Sequence, residues 1–298
     1  MSASQPAGGI AVAIPSYRRG RVLIETLEHV LALRPRPAEV LVVDQTEAHP
    51  ADVAERLGAW SEASQLRWAR RSEPSIPAAM NAALQQATAR VVLFLDDDVV
   101  PEAGLLEGHA RAHARPGRLV AGRVVQPWDE PAGPATGDPE ELPRLEDWLR
   151  LVIGANFSVD RAAALAAGGF DENFVGTAYR FEADFARRFA AAGGVVLHAP
   201  AASVRHLRAA GGTRAGSRSL FRIRLRQAQG EYYFWLRAGR FAAAAAALAR
   251  RPFTAITDAH RRRWLADRAG AVPAECLGLL QAARRCWRGP RLIAAART

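Results

Sequence analysis

The sequence predicts an α/β fold: a mostly parallel central sheet flanked by helices, followed by an Arg-rich, mainly helical C-terminal region. Three observations carry that reading. Short apolar runs, Ile10–Ile14, Val40–Val43 and Val91–Leu95, are rich in β-branched residues and each stops at a polar turn, as buried strands do. Helix-spaced stretches separate them, which implies parallel strands joined by right-handed crossovers. Finally, the charge reverses along the chain. Residues 1–202 hold 20 Arg and 26 acidic residues, a net −6, whereas residues 203–298 hold 20 Arg and 4 acidic residues, a net +16. There is no Lys.

Taken in order, the first helix spans 20–33, with apolar residues at Val22, Leu23, Leu27, Val30 and Leu31. Residues 51–64 and 78–89 read as the next two helices. Residues 126–142, dense in Pro, Gly and acid, read as a long loop of the kind that often serves as a lid. Helical pattern resumes at 144–151, and 152–159 reads as a strand. A helix at 161–167 stops at Gly168-Gly169 and another at 181–192 stops at Gly193-Gly194. Residues 195–198 read as a last short strand. The boundary between the α/β unit (1–205) and the basic extension (206–298) is set there.

The chain of 298 residues is 49% hydrophobic and 23% charged, which excludes a disordered or collagen-like protein and allows about two structural units. Cys276 and Cys286 are too few for a disulfide framework and read as free thiols in a reducing compartment. The first residues lack the layout of a signal peptide. The longest apolar run, Phe241–Ala249, has nine residues, against the roughly 20 that cross a bilayer. The expectation is a cytoplasmic protein, either soluble or peripheral to the inner face of the membrane. The basic extension calls for an anionic partner such as a membrane surface, a nucleic acid or a phosphorylated ligand.

Ligands of such sheets bind beyond the carboxyl ends of the strands, where this chain puts Ser16-Tyr17, Asp44 and Asp96-Asp97-Asp98. Three adjacent carboxylates repel one another unless a cation sits among them. A hard divalent ion, Mg²⁺ or Mn²⁺, does this and bridges to a diphosphate; a solvated acidic turn is the plain alternative. Asp44 suits a ribose or base edge, or simply a turn. Asn81, within an Ala-rich helix, faces either a ligand or solvent. Glu182 and Asp184 open a helix whose positive end favours ionised carboxylates, as a general base requires. Asp184 has Arg187 and Arg188 at ion-pair spacing, which leaves Glu182 the freer group. His206 reads as a metal ligand or a surface imidazole. Gly211-Gly212-Thr213 before Arg214 gives a weak phosphate-loop signal.

Taken together and in order, AIPSYRR at 13–19, VLVVDQT at 40–46, SIPAAMNAAL at 75–84, VVLFLDDDVVP at 91–101, GANFSVDRAAALAAGGFDENF at 154–174, FEADFARRFAAAG at 181–193 and the His206 region resemble the family-2 glycosyltransferases across about residues 8–212. The resemblance implies the Rossmann-like GT-A fold and a single inverting transfer of one sugar from a nucleotide sugar, UDP-linked by expectation, to an acceptor hydroxyl. It assigns Ser16, Asp44, Asn81, Asp96 and Asp97 to the donor, with Asp44 on the nucleoside and Asn81 near the diphosphate. Asp98 and His206 would hold Mn²⁺ or Mg²⁺, Glu182 would act as base, and Asp184 is kept as its substitute. The chain departs from the family at Met80 and Ser75, where Arg and Gly are common. It also lacks one acid at Phe181 and has no Gln-X-X-Arg-Trp signature, Arg263-Trp264 standing too far on with His260 for the Gln. A processive synthase is therefore disfavoured.

In the extension, Arg218, Arg222, Arg224 and Arg226 precede Tyr232, Tyr233, Phe234 and Trp235. That run reads either as a membrane-surface or acceptor-binding element, or as a helix that buries its aromatics against the catalytic unit. Two further readings are a nucleotidyltransferase, for which the turn after the first strand is a poor match, and a nucleic-acid-binding protein using the tail. The acidic first two-thirds argue against the second, and no nucleic-acid partner is expected.

Overall fold

The computed structural model describes residues 9–129, 132–209, 211–212, 219–254 and 268–294. Thr213, Arg214, Arg218, His260, Arg263 and Trp264 lie outside them. Strands β1 (Ile10–Ser16), β2 (Glu39–Asp44), β3 (Arg67–Arg70) and β4 (Val91–Leu95) alternate with helices α1 (Arg21–Ala32), α2 (Ala51–Glu62) and α3 (Ile76–Gln86). Then come β5 (Val99–Pro101), α4 (Leu105–Ala112), β6 (Arg118–Val125), β7 (Glu140–Glu141), α5 (Leu145–Leu151), β8 (Asn156–Asp160), α6 (Arg161–Ala166), α7 (Phe181–Ala191) and β9 (Val195–His206). Helices α8 (Leu220–Arg237), α9 (Phe241–Arg250) and α10 (Arg268–Arg288) complete the described chain.

The strands form one sheet in the order β3-β2-β1-β4-β8-β6-β9-β5, with β7 on β9. Its first four strands are parallel as expected. The remainder is mixed, which corrects the expectation of a mostly parallel sheet: β8 runs antiparallel to both β4 and β6, while β6 and β9 are parallel. An antiparallel neighbour needs no crossover helix, so helix–strand alternation in the sequence does not report it. Residues 126–144 and α5 return the chain instead.

Two strands exceed or escape the sequence reading. β6 was not expected, because Gly122 and Arg123 interrupt its apolar pattern. β9 is twelve residues long rather than four. Its register against β6 jumps from Gly122↔Ala199 to Arg123↔Ser203. The bulge leaves Pro200, which has no N–H to give, out of the ladder. Gly122 is required there, since a Cβ would collide with the side chain of Asn156 and the carbonyl of Ala202.

Strand residues alternate between two buried faces. Ile10, Val12, Ile14, Leu93 and Leu95 pack with α1, α2 and α4. Ala11, Ala13, Val92 and Phe94 join Phe157, Phe170 and Phe185 on the other face. That second cluster also contains Ala228, Tyr232, Tyr233 and Phe234 of α8. The aromatic run of the extension is therefore core rather than a headgroup-facing surface. α10 packs on α8, and a Cβ on Gly278 would meet that of Ala228 at 2.6 Å. Arg224, Tyr232 and Arg251 converge on the buried Glu275, at 3.0, 2.7 and 3.0 Å.

Beneath the sheet runs a chain of neutral polar groups. Asn156 uses its amide N–H to bond the carbonyls of Arg123 and Ala202. Its Oδ1 faces His109 Nε2 at 2.9 Å, His109 Nδ1 faces Ser158 Oγ at 2.8 Å, and Ser158 Oγ faces His113 Nε2 at 2.8 Å. With both imidazoles neutral, as their burial favours, the Nε2–H tautomer of each satisfies that order: His109 donates to Asn156 and accepts from Ser158, and His113 donates to Ser158. Burial lowers His109 to about 4 and His113 to about 3. A folded-state His pKa below its unfolded value means that the unfolded chain binds protons first, so stability is lost as pH falls below about 6.5. For His113 the loss between pH 7 and pH 5 is about 2 kcal/mol. Urea unfolding of His113→Gln should show the wild-type advantage shrinking by that amount over this interval. An advantage that does not change with pH would contradict the neutral-imidazole assignment.

Candidate active site

β1 and β2 end in register, Ser16 opposite Asp44, and β4 ends at Leu95, so the carboxylate turn 96–98 opens at the same edge. Sequence alone does not bring His206 there. The antiparallel β5–β9 ladder does, pairing Val99 with His206, and Leu207 N–H donates to the Asp98 carbonyl at 2.8 Å. His206 Nε2 consequently lies 3.2 Å from Asp98 Oδ1 and 3.6 Å from Asp96 Oδ2.

Asp98 is held from its other side. Its Oδ2 accepts from Ala209 N–H at 2.9 Å and pairs with Arg19 Nη2 at 3.2 Å. Burial alone would raise its pKa, but His206, Arg19 and Ala209 together hold it below the usual value. Asp97 points the other way, into a buried arrangement with Arg19 Nε and Ser16 Oγ, both at 2.8 Å. Burial, aided by the charges of Asp96 and Asp98, pushes it up to about 7 against the pull of Arg19 and Ser16. Arg19, which the sequence reading missed, is thus a cation paired with two of the three carboxylates. Its partners lie 78 and 79 positions away, so no local spacing announces it.

Asp96, Asp98 and His206 each offer one ligand atom, all within 4.8 Å of one another. Two carboxylate oxygens and one imidazole nitrogen suit Mn²⁺ or Mg²⁺. Arg19 and Ala209 orient Asp98 from behind, as outer partners of metal ligands do. Nδ1 of His206 is buried without a partner among the described residues, so the ring's working nitrogen is the one facing the two acids. The residues fit a divalent ion.

Glu182 sits in the first turn of α7 and accepts from Gly154 N–H at 3.1 Å. The helix N-terminus was expected to keep this carboxylate readily ionised. Burial outweighs its own amide and that of Gly154, and the charge of Asp96 adds to burial, so Glu182 is pushed up to about 7. Its carboxyl group therefore exchanges a proton near neutrality. Asp184 faces away, buried and paired with Arg187 at 3.1 Å and Arg188 at 2.8 Å. The ion-pair reading of its spacing is the one the geometry favours. Arg188 also ties down the carbonyls of Ala167 and Gly169.

Two donor-site assignments fall on groups already occupied. Asp44 is wholly buried: His49 Nε2 at 2.6 Å and Trp68 Nε1 at 2.9 Å reach Oδ2, while Thr46 N–H reaches Oδ1 at 2.9 Å. Burial works to raise its pKa, yet these bonds hold it low. Asn81 donates to the Phe170 carbonyl and accepts from the Phe170 N–H, at 2.9 and 2.8 Å, fastening α3 to the loop before α7. The departures have structural reasons too. Ser75 caps α3, and Met80 is buried at the cleft.

What opens between these elements is a cleft lined by Ser16, Tyr17, Arg19, Gln45, Ile76, Met80, Asp96, Asp97 and the Gly211-Gly212 pair. Gly212 lies directly over Arg19; a Cβ there would meet its Nε at 3.1 Å. A larger concavity, lined by Leu31, Glu39, Gln65 and Arg67 among others, lies at the opposite, amino ends of β2 and β3, remote from the acidic turn.

This architecture, with a carboxylate turn at the carboxyl edge of a mixed sheet, is that of the GT-A glycosyltransferases. A mannosyltransferase from Pyrobaculum calidifontis, solved with GDP-Man and Mn²⁺, superposes with a TM-score of 0.55 at 18% identity, over 94% of this chain and 88% of that one. S. aureus TarS 1-349 in complex with UDP-GlcNAc gives 0.57 at 13%, over 90% and 83%. GalNAc-T7 with UDP, GalNAc and Mn²⁺ gives 0.57 at 14%, over 95% of this chain and 58% of that one. No curated protein sequence matches the chain. Residues 11–171 match the model of Glycosyl transferase family 2, and the chain belongs to that family.

Proposed function

We propose that the protein transfers a single sugar from a nucleoside diphosphate donor to an acceptor hydroxyl with inversion at the anomeric carbon. The observation that carries this reading is the convergence of Asp96, Asp98 and His206 beside Glu182, a carboxylate whose pKa matches a base working near neutrality. Glu182 takes the acceptor proton as the hydroxyl oxygen bonds to the anomeric carbon. The bond from that carbon to the diphosphate breaks, and the departing oxygen keeps its electrons. Asp96, Asp98 and His206 would hold a divalent ion, which when bound would supply Lewis-acid stabilisation of the diphosphate. Arg19 keeps Asp98 turned toward that position.

The nucleoside is taken by the cleft of Tyr17, Gln45, Ile76 and Met80, and Asp44 supports its wall from behind rather than touching the base. UDP is the expected donor nucleotide; two of the three similar structures above carry UDP or UDP-GlcNAc. Among the described residues, no helix is long and apolar enough to cross a membrane. Thermal shift with UDP, GDP, ADP and CDP plus Mn²⁺ tests the donor half. At a concentration about 100-fold above Kd, the bound nucleotide adds about 2.7 kcal/mol of stability, a shift of several degrees. UDP should shift the protein most and lose its effect in chelator. A flat response to all four would refute the reading.

A further inference from the structure

α10 has one buried face, on which Ala274, Glu275, Gly278 and Ala282 meet α8. Its other face is exposed and almost wholly apolar. Val272, Cys276, Leu277, Leu280, Ala283 and Trp287 recur at helical spacing, with Leu280 67% and Trp287 87% exposed. Arg284 and Arg288 lie exposed at the Trp287 end. Phe253, 69% exposed, belongs to the short turn of helix packed against α10. α9 repeats the pattern, presenting Phe241, Ala242, Ala245, Ala246, Ala249 and Arg250. Large apolar faces of this kind mark interaction sites.

The charge says what covers them. Among the described residues of 203–298 the acids are Glu231 and Glu275, and both are buried in ion pairs, with Arg180 and with Arg224 and Arg251. The ionised side chains that the described part of this segment offers to solvent are therefore all arginines. A second copy meeting this face about a two-fold axis would bring no acidic side chain from the described part of the segment to Arg284 and Arg288, and would leave them unpaired at the rim. A nucleic acid would find no donors along the apolar centre of the stripe. A bilayer with anionic headgroups satisfies both halves: Trp and Leu enter the headgroup–acyl boundary while Arg stays with the phosphates.

We propose that the exposed faces of α10 and α9 dock the protein onto an anionic membrane surface, through Leu277, Leu280, Trp287, Phe253 and Phe241, with Arg284 and Arg288 at the headgroups. The docking is separate from the donor site, so it stands or falls independently of the transfer reaction.

The test is sedimentation of the full chain with vesicles of phosphatidylcholine alone or of equal parts phosphatidylcholine and phosphatidylglycerol. Binding should require the anionic lipid and weaken from about 0.1 M to about 1 M salt, as the screening length falls from about 10 to about 3 Å. Leu280→Glu with Trp287→Glu should bind at least about tenfold more weakly. Both positions are exposed, so the nucleotide-induced thermal shift should be unchanged. In a Cys286→Ser background, a polarity-sensitive dye on the exposed Cys276 should report an apolar environment on binding. Three results would overturn the proposal: no sedimentation with anionic vesicles, equal sedimentation of wild type and double variant, or a silent dye on sedimenting protein. Self-association of the wild type that the double variant abolishes would assign the face to a second copy instead.

Discussion

Asp98→Asn should fold, lose at least about 100-fold in Mn²⁺ affinity, and transfer sugar roughly 10³-fold more slowly. The expectation follows from how the carboxylate is shared. One oxygen is committed to Arg19 and the Ala209 amide, the other to the His206 side of the site. Asparagine keeps the shape and can still accept from Ala209 N–H. It removes the charge that both Arg19 and a bound cation use. Alanine would be a poorer probe, because it also removes the acceptor of the Ala209 N–H and leaves a gap beside Arg19, which would then rest on Asp97 alone. Calorimetric titration with Mn²⁺ and a donor-hydrolysis assay, each repeated in chelator, check the two parts. Wild-type turnover that persists in chelator would remove the ion from the reaction, and normal Mn²⁺ binding by the variant would move it to other ligands.

That test rests on a constellation only half legible in the sequence. The acidic turn announces itself because a fully apolar strand ends in three carboxylates, and that edge of a parallel sheet is where ligands collect. His206 was assigned to the metal by the family resemblance and not by its own spacing, since its approach to Asp98 depends on a bulged twelve-residue strand whose Pro200 and small residues hide its extended character. Arg19 stayed hidden because its role exists only when β1 and β4 lie side by side. Local spacing was a sound guide where the interaction itself is local: the Arg187 and Arg188 pairs with Asp184 follow directly from the i+3 and i+4 geometry of a helix. It did not report the partners of Asp44 and Asn81, since Trp68 and Phe170 arrive from other elements to bond the groups assigned to the donor.

The extension shows the same limit in another form. A cluster of aromatics among arginines has the composition of a headgroup-facing helix. Yet Tyr232, Tyr233 and Phe234 fill the core against Phe174 and its neighbours, while exposed apolar surface appears on α10, where the residues are too widely spaced to form a run. Composition locates chemistry in a segment, and only the packing says which face of the helix carries it. The net charge behaves likewise: among the described residues of the extension the acids Glu231 and Glu275 are drawn inward to pair with Arg180, Arg224 and Arg251, and exposed arginines such as Arg284 and Arg288 are left outside.

Glu182→Gln should keep nucleotide binding and lose transfer by about 10² to 10⁴-fold, and the same substitution should make the protein more stable at alkaline pH. The two effects have one cause. A carboxyl group whose folded pKa is raised above its unfolded value favours the fold fully below about 4.5 and loses that contribution as pH climbs to about 7, because the folded chain must then ionise a group it keeps from water. Wild type therefore carries a cost at pH 8 that glutamine does not. Partial exposure of the side chain limits that cost to about 1–3 kcal/mol. In chelator, the melting temperature of Glu182→Gln should exceed that of wild type at pH 8, with the gap closing toward pH 5. Wild-type kcat/KM should rise with pH and level off above about 7, since the ionised form is the one that accepts the proton. Glu182→Asp should regain part of the rate while keeping that pH dependence. A variant that is inactive because it misfolds would melt lower at every pH, so the stability gain separates loss of the base from loss of the fold. Retained turnover in Glu182→Gln would place the base elsewhere, and the buried, doubly paired Asp184 would be a weak successor, since accepting the proton would first require breaking its bonds to Arg187 and Arg188.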